Sequence, residues 1–225
     1  RQVDEAREMP AQQNAIRRLR LNEWTQQVTR WIPMDVWTEG AEPFDLDDLA
    51  GRRCWGGLDL ARVNDLSSLC LIFPPLEAGE KTKAIWRHWC PEEDILRRAR
   101  RDRAPYDVWQ RAGGLIATPG NTTDFAFIGA EIVELAGIYD IADIAYDRTF
   151  AGELINSLMD EGIGMVQFGQ GFMSMGPSSA EFMRLLIGRN LRHGGDPVAT
   201  WSAGHVSVRH DPAGNVKPDK ERSIE

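Results

Sequence analysis

Three short runs decide the fold: CWGGLDLA at residues 54–61, LSSLCLIF at 66–73 and TKAIWRHWC at 82–90. The first is apolar and ends in an acid, Asp59. The second is stopped by Pro74-Pro75, and the third alternates apolar and polar residues as a half-buried strand does. The connections, RVND (62–65) and PPLEAGEK (74–81), are short. Strands joined so briefly pair antiparallel, because a parallel return needs a crossover of a dozen or more residues. The spacing therefore predicts a three-strand antiparallel meander.

After residue 90 the period lengthens. Helices are predicted over Glu92–Arg103 and Tyr106–Ala112, the second ended by Gly113-Gly114. Leu115–Thr118 reads as a strand or a loop entry. Phe127–Ala136 carries Ile128, Ile132 and Leu135 at helical spacing. Ile141–Tyr146 reads as a buried strand followed by Asp147, and Phe150–Glu161 as a helix ended by Gly162. Met165–Phe168 is the next strand, Ser178–Arg189 the next helix with Pro177 at its start, and Val206–Arg209 a last strand before the turn DPAGN (211–215), which signals a hairpin or loop. A strand–helix–strand–helix–strand series added to a meander makes a mixed α/β sheet with helices on both faces. That is the layout of the ribonuclease H-like fold. Upstream, residues 1–30 are rich in helix formers with one breaker, Pro10, and DLDDLAG (45–51) resembles a short helix leading to a turn.

Composition narrows the function. The 225 residues carry 26 Lys+Arg against 34 Asp+Glu, net −8, with 42% hydrophobic and 27% charged residues, the balance of an ordinary globular protein. No apolar run approaches the ~20 residues that span a bilayer, and Arg1-Gln2-Val3-Asp4-Glu5 does not read as a signal peptide. Cys54, Cys70 and Cys90 are odd in number and lack a CxxC spacing, which points to a reducing compartment and away from zinc. An acidic total argues against a nucleic-acid partner. By segment, however, residues 51–119 hold 12 basic and 9 acidic groups (net +3), while 120–170 hold 1 and 9 (net −8). The excess is local, so the total says little about any one face. It predicts weak autonomous DNA binding rather than none.

The phosphate-cradling GxxxxGK[ST] and GxGxxG patterns are missing from the sequence, as are GxSxG and HExxH. His88, His193, His205 and His210 are scattered, and His88 reads as structural. The carboxylates remain. Asp59 and Asp147 each close an apolar strand, and in open α/β sheets ligand chemistry gathers at strand ends. Two acids on neighbouring strands suit a shared divalent ion. Competing readings stand beside this one: Asp147 as a helix N-cap, Asp59 as an ordinary loop acid, Asp65 as a turn residue. The arginines from Arg97 to Arg103 lie among Glu92, Glu93, Asp94 and Asp102, which suits a solvated helix face. GQGFMSMG (169–176) fits a loop beside an active site as well as a plain connection.

Six runs taken in order resemble the C-terminal nuclease domain of the large terminase subunit of tailed bacteriophages and prophages. They are LRLNEWTQ (19–26), GLDLARVNDLSSL (57–69), AYDRTFAGELINSL (145–158), VQFGQGFMSMGP (166–177), LRHGGDPVATW (191–201) and GHVSVRHDPAGNVKPDKERS (204–223). The resemblance covers nearly the whole chain. It implies a ribonuclease H-like endonuclease at residues 51–225 that cuts concatemeric double-stranded DNA, with residues 1–50 a linker or helical connection from an N-terminal packaging ATPase. It also implies two Mg²⁺ or Mn²⁺ ions held by three acids. Asp59 matches the first, Asp147 the second, and Asp65 a further acid near the site. The family's third lies in a lysine-isoleucine-aspartate-glycine run that would follow Glu225; Asp211 and Asp219 are the candidates within the chain. Local charge nominates Arg97, Arg98, Arg101, Lys217 and Lys220 as DNA contacts. The family implies the portal and the small terminase subunit as partners and the bacterial host's cytoplasm as location, with no membrane. Two rivals remain: another ribonuclease H-like enzyme of the resolvase or transposase type, and a non-catalytic DNA or portal docking module.

Overall fold

A computed structural model describes residues 31–61, 66–93, 95–147, 152–220 and 223. The predicted helical stretch 1–30 and Asp65 lie outside the described residues. The meander forms as expected: β1 (Arg53–Asp59) pairs antiparallel with β2 (Ser67–Phe73), which pairs antiparallel with β3 (Thr82–Pro91). Leu115–Thr118 resolves into β4 (Ile116–Thr118), parallel to β3. On the other side β5 (Asp140–Tyr146) lies parallel to β1, and β6 (Met165–Gln167) parallel to β5. The strand order is β4-β3-β2-β1-β5-β6, with β7 (Leu191–Arg192) also pairing with β3. The chain is thus a mixed sheet flanked by helices.

One face of this sheet is sealed. Helix α4 (Phe125–Ile138) begins where the Asp124 side chain accepts a hydrogen bond from the Phe127 N–H, and it buries Ile128, Ile132 and Leu135. Helix α5 (Gly152–Asp160) adds Leu154, Ile155 and Leu158. Both pack on Leu58, Leu69, Leu71, Phe73 and Trp89 of the meander and Ile144 of β5. Burying each such side chain fully is worth about 1.5–3 kcal/mol. Gly56 lets β1 and β5 approach here, since a Cβ would lie 2.8 Å from Ile144 Cγ1.

The opposite face is covered only in part. Helix α1 (Met34–Glu39), helix α6 (Phe172–Ile187) and helix α7 (Pro197–His205) bury Trp37, Leu186, Ala199 and Ala203, with Trp86 of β3 packed against them. Over β1 that cover stops, and Trp55, Gly57 and Asp59 are exposed. Helix α2 (Ile95–Asp102) and helix α3 (Tyr106–Arg111) build a separate cluster beyond β3, centred on Tyr106, Trp109 and Leu115.

Some elements differ from the sequence reading, Met34–Glu39 and Leu191–Arg192 among them. Helix α6 starts at Phe172, so half of the expected 169–176 loop is helical and Pro177 lies inside the helix. Pro177 lacks an N–H and costs the helix one bond; tertiary packing sets the start instead, because Gly176 sits where a Cβ would be 3.2 Å from Asn215 Cβ. Helix α7 was unassigned: its small residues carry no apolar stripe, although Asp196 at the N-cap and Pro197 at the first position are start signals. The turn DPAGN closes a hairpin, one of the two outcomes it signals: β8 (Val208–His210) pairs with β9 (Val216–Pro218) as a separate two-stranded sheet.

Candidate active site at the ends of β1 and β5

Asp59 is the last residue of β1, and the last pair between β1 and β5 is Leu58 with Tyr146. Asp59 and Asp147 each directly follow that pair along the chain, at the same end of the two strands. Leu58 and Tyr146 face the sealed core, so by alternation both acids leave the open face.

A cation already contacts this site from within the chain. The Lys220 ammonium donates to Asp59 Oδ2 at 2.8 Å, with side-chain exposures of 59% and 54%. Its neighbour Asp219 is buried and faces Arg209 Nε at 2.7 Å, while its backbone N–H donates to the Ser207 carbonyl. The Ser223 hydroxyl donates to the Asp219 carbonyl. Asp219 is turned inward to hold the hairpin, and Lys220 follows it in a turn after the end of β9.

The other candidates have separate tasks. Asp211 accepts from the Asn215 N–H and side-chain amide, both at 2.8 Å, and the side-chain bond above all holds its carboxyl below the usual range. It closes the turn between β8 and β9. Among the described residues no three acidic, histidine or cysteine side chains gather into a metal-ligating group, so neither Asp211 nor Asp219 completes a triad with Asp59 and Asp147. Lys217 donates to the Gln170 carbonyl and lies 5.4 Å from the Phe172 ring centroid, which ties β9 to α6. On α2, Arg98 is buried and not presented to DNA, which corrects that expectation: the amphipathic helix turns this arginine inward beside Ile95. Arg97 and Arg101 are exposed, and Arg101 forms a two-point pair with Asp102.

A polar network that sequence reasoning missed continues the row. Ser68 is the cross-strand partner of both Asp59 and His88. Its hydroxyl lies 2.8 Å from His88 Nδ1, and His88 Nε2 lies 3.2 Å from Asp196 Oδ1. Asp196 also accepts from the Ala199 N–H at 2.8 Å. Burial works to raise the Asp196 carboxyl, but hydrogen bonds from His88 and the N–H groups of Ala199 and Val198 outweigh it, and the group titrates below the ordinary range. Burial, and after it the Asp196 charge, pushes the nearby Cys70 thiol up to about 12. Pair register, which no residue pattern specifies, was the missing signal. The remaining buried histidine, His193, stacks on Trp37 and bonds its carbonyl, a packing role.

The family model for the terminase large subunit, endonuclease domain, matches residues 1–225. The chain belongs to that family. The large terminase subunit of Enterobacteria phage HK97 is 36% identical over 230 residues, covering 99% of this chain and 44% of that protein. The crystal structure of the HK97 large terminase superposes with a TM-score of 0.78 at 34% identity, over all of this chain and 46% of that one. The terminase nuclease of thermophilic phage G20c shares the fold at 11% identity, with a TM-score of 0.52 over 84% of this chain and 89% of that one. A form of that nuclease with bound cobalt superposes at 0.50. The terminase domain described here spans less than half of the HK97 protein it matches. Among its described residues no helix is long and apolar enough to cross a membrane.

Proposed function

We propose that this chain is the endonuclease unit of a DNA-packaging terminase, hydrolysing phosphodiester bonds of concatemeric double-stranded DNA with the help of two divalent ions. The observation that supports this reading is the parallel pairing of β1 with β5, with Asp59 and Asp147 each following the Leu58–Tyr146 pair. The donor set fits Mg²⁺ or Mn²⁺: carboxylate oxygens are the ligands these hard cations take, and the Lys220 ammonium on Asp59 is a cation standing where another would bind. The cobalt bound to the G20c nuclease is in keeping with a divalent requirement.

Asp59 and Asp147 would hold the ions through their carboxylate oxygens. When bound, such ions activate water and neutralise charge on the leaving 3′ oxygen. Lys220 is within reach of a phosphate at the same carboxylate, and Arg97 and Arg101 offer positive charge on α2 for the flanking duplex. No nucleophilic side chain is required, so the reaction is direct hydrolysis without a covalent intermediate. The portal, the small subunit and an ATPase domain would be the working partners, in the cytoplasm of the bacterial host.

Plasmid cleavage with Mn²⁺ tests the assignment, using this chain and a form extended beyond Glu225. Asp59→Ala and Asp147→Ala are each expected to abolish nicking. Equal cutting by the parent and both variants would remove these residues from the site.

A further inference from the structure

The row that begins at Asp147 and Asp59 does not end there. Asp59, Ser68 and His88 are successive cross-strand partners on β1, β2 and β3, and such partners leave the same face of a sheet with Cβ atoms about 4.5–5.5 Å apart. The row runs from an open end to a closed one. The Asp59 side chain is 54% exposed, whereas those of His88 and Asp196 are 5% and 18% exposed under α7. We propose that Ser68, backed by His88 and Asp196, is the proton acceptor for the water that attacks the phosphodiester. This rests on the nuclease reading above and adds a residue to it.

The direction of the relay follows from donor and acceptor inventory. An ionised carboxylate only accepts, so His88 Nε2 carries the hydrogen directed at Asp196. In the neutral ring Nδ1 is then bare, and the Ser68 O–H donates to it at 2.8 Å. The lone pairs of Ser68 Oγ are left to accept from a water beside Asp59. As that water attacks, one of its protons passes to Ser68 Oγ while the Ser68 proton passes to His88 Nδ1. The hydroxide oxygen forms the new bond to phosphorus, the bond from phosphorus to the 3′ oxygen breaks, and the leaving oxygen takes a proton from solvent. His88 ends as an imidazolium held against the Asp196 carboxylate and returns its proton to solvent before the next turnover. In a purely structural network the Ser68 hydroxyl would only satisfy the buried His88 Nδ1, and its loss would cost stability rather than rate.

The two accounts separate on Ser68, which is half-buried and small enough to change safely. General-base assistance contributes about 10²–10⁴-fold. In the cleavage-competent form, Ser68→Ala is expected to lower kcat about 10²-fold, with KM, Mn²⁺ affinity and melting temperature unchanged, and Ser68→Thr to restore the rate. Nitrogen NMR of the metal-free chain gives a readout independent of cleavage: His88 should be the Nε2–H tautomer, with its Nδ1 resonance moved by Ser68→Ala. Cutting by Ser68→Ala within about twofold of the parent, while Asp59→Ala is dead, would overturn the relay and leave the nuclease reading intact. An Nδ1–H tautomer, or a loss confined to Mn²⁺ affinity, would overturn it as well. Normal cutting by Asp59→Ala would bring down the nuclease reading and the relay together.

Discussion

On one face of the sheet Leu58, Leu69 and Ile144 are sealed beneath α4 and α5; on the other, Asp59, Ser68 and His88 form a polar row covered at β3 and open at β1. The same alternation along the same strands builds both. The difference lies in what sits on top. Aliphatic helices exclude water from the first face, so every side chain there must be apolar or paired. The second face has its lid set to one side by α6 and α7, so an acid can stay exposed on β1 while a histidine two strands away is buried. Stability and chemistry are thereby placed on opposite sides of one backbone, and single substitutions should affect one without the other.

The sharpest contrast is expected between Asp59→Ala and a core truncation. Asp59→Ala should cost more than about 10³-fold in Mn²⁺-dependent nicking, about 4 kcal/mol of transition-state stabilisation. Its melting temperature should stay within about 2 °C of the parent, because the exposed pair with Lys220 is worth only about 0–1 kcal/mol. Ile128→Ala should do the reverse, losing about 3 kcal/mol in urea unfolding by leaving a cavity, with the folded fraction cutting at the parental rate. A smaller effect, about 1–3 kcal/mol of overpacking, is expected from Gly56→Ala, whose new methyl would meet Ile144 across the β1–β5 seam. That seam also sets the spacing of Asp59 and Asp147, so this variant should lose Mn²⁺ affinity by calorimetry; unchanged affinity would break the link between the faces.

Two weaker effects refine the picture. Lys220→Ala removes a cation that competes for Asp59, so Mn²⁺ should bind it up to about fivefold tighter in a calorimetric titration. Looser binding would make Lys220 a helper of the ion and not its rival. At the far end of β1, hydrogen bonds from Arg52 first, then Lys83 and the Leu76 N–H, hold the Glu80 carboxyl down to about 2, against an ordinary 4.5. A depressed carboxyl stabilises the fold fully above about 4.5, and that contribution fades as pH falls toward 2. Glu80→Gln should therefore be less stable than the parent at pH 7, with the two converging in acid when stability is followed by circular dichroism.

Much of this was legible beforehand, for identifiable reasons. The meander was readable because its strands are short, apolar and bounded by Pro74-Pro75 and tight loops; β5 and α4 were readable from their apolar periods. Helix α7 escaped because its helicity rests on an N-cap and on packing, and the start of α6 because contact with Asn215 overrides the breaker at Pro177. Asp59 and Asp147 stood out as acids closing apolar strands. Asp211 and Asp219 looked equivalent to them in composition, yet one closes a turn and the other faces Arg209.

The sequence by itself determined the strands, their order of polarity and the family, because period, breakers and ordered motifs are local properties of the chain. Only the tertiary structure decided where the helix cover ends, which arginine turns inward and which serine meets which histidine. Those outcomes depend on strand register and on helix cover, where a shift of one residue would carry every side chain to the other face.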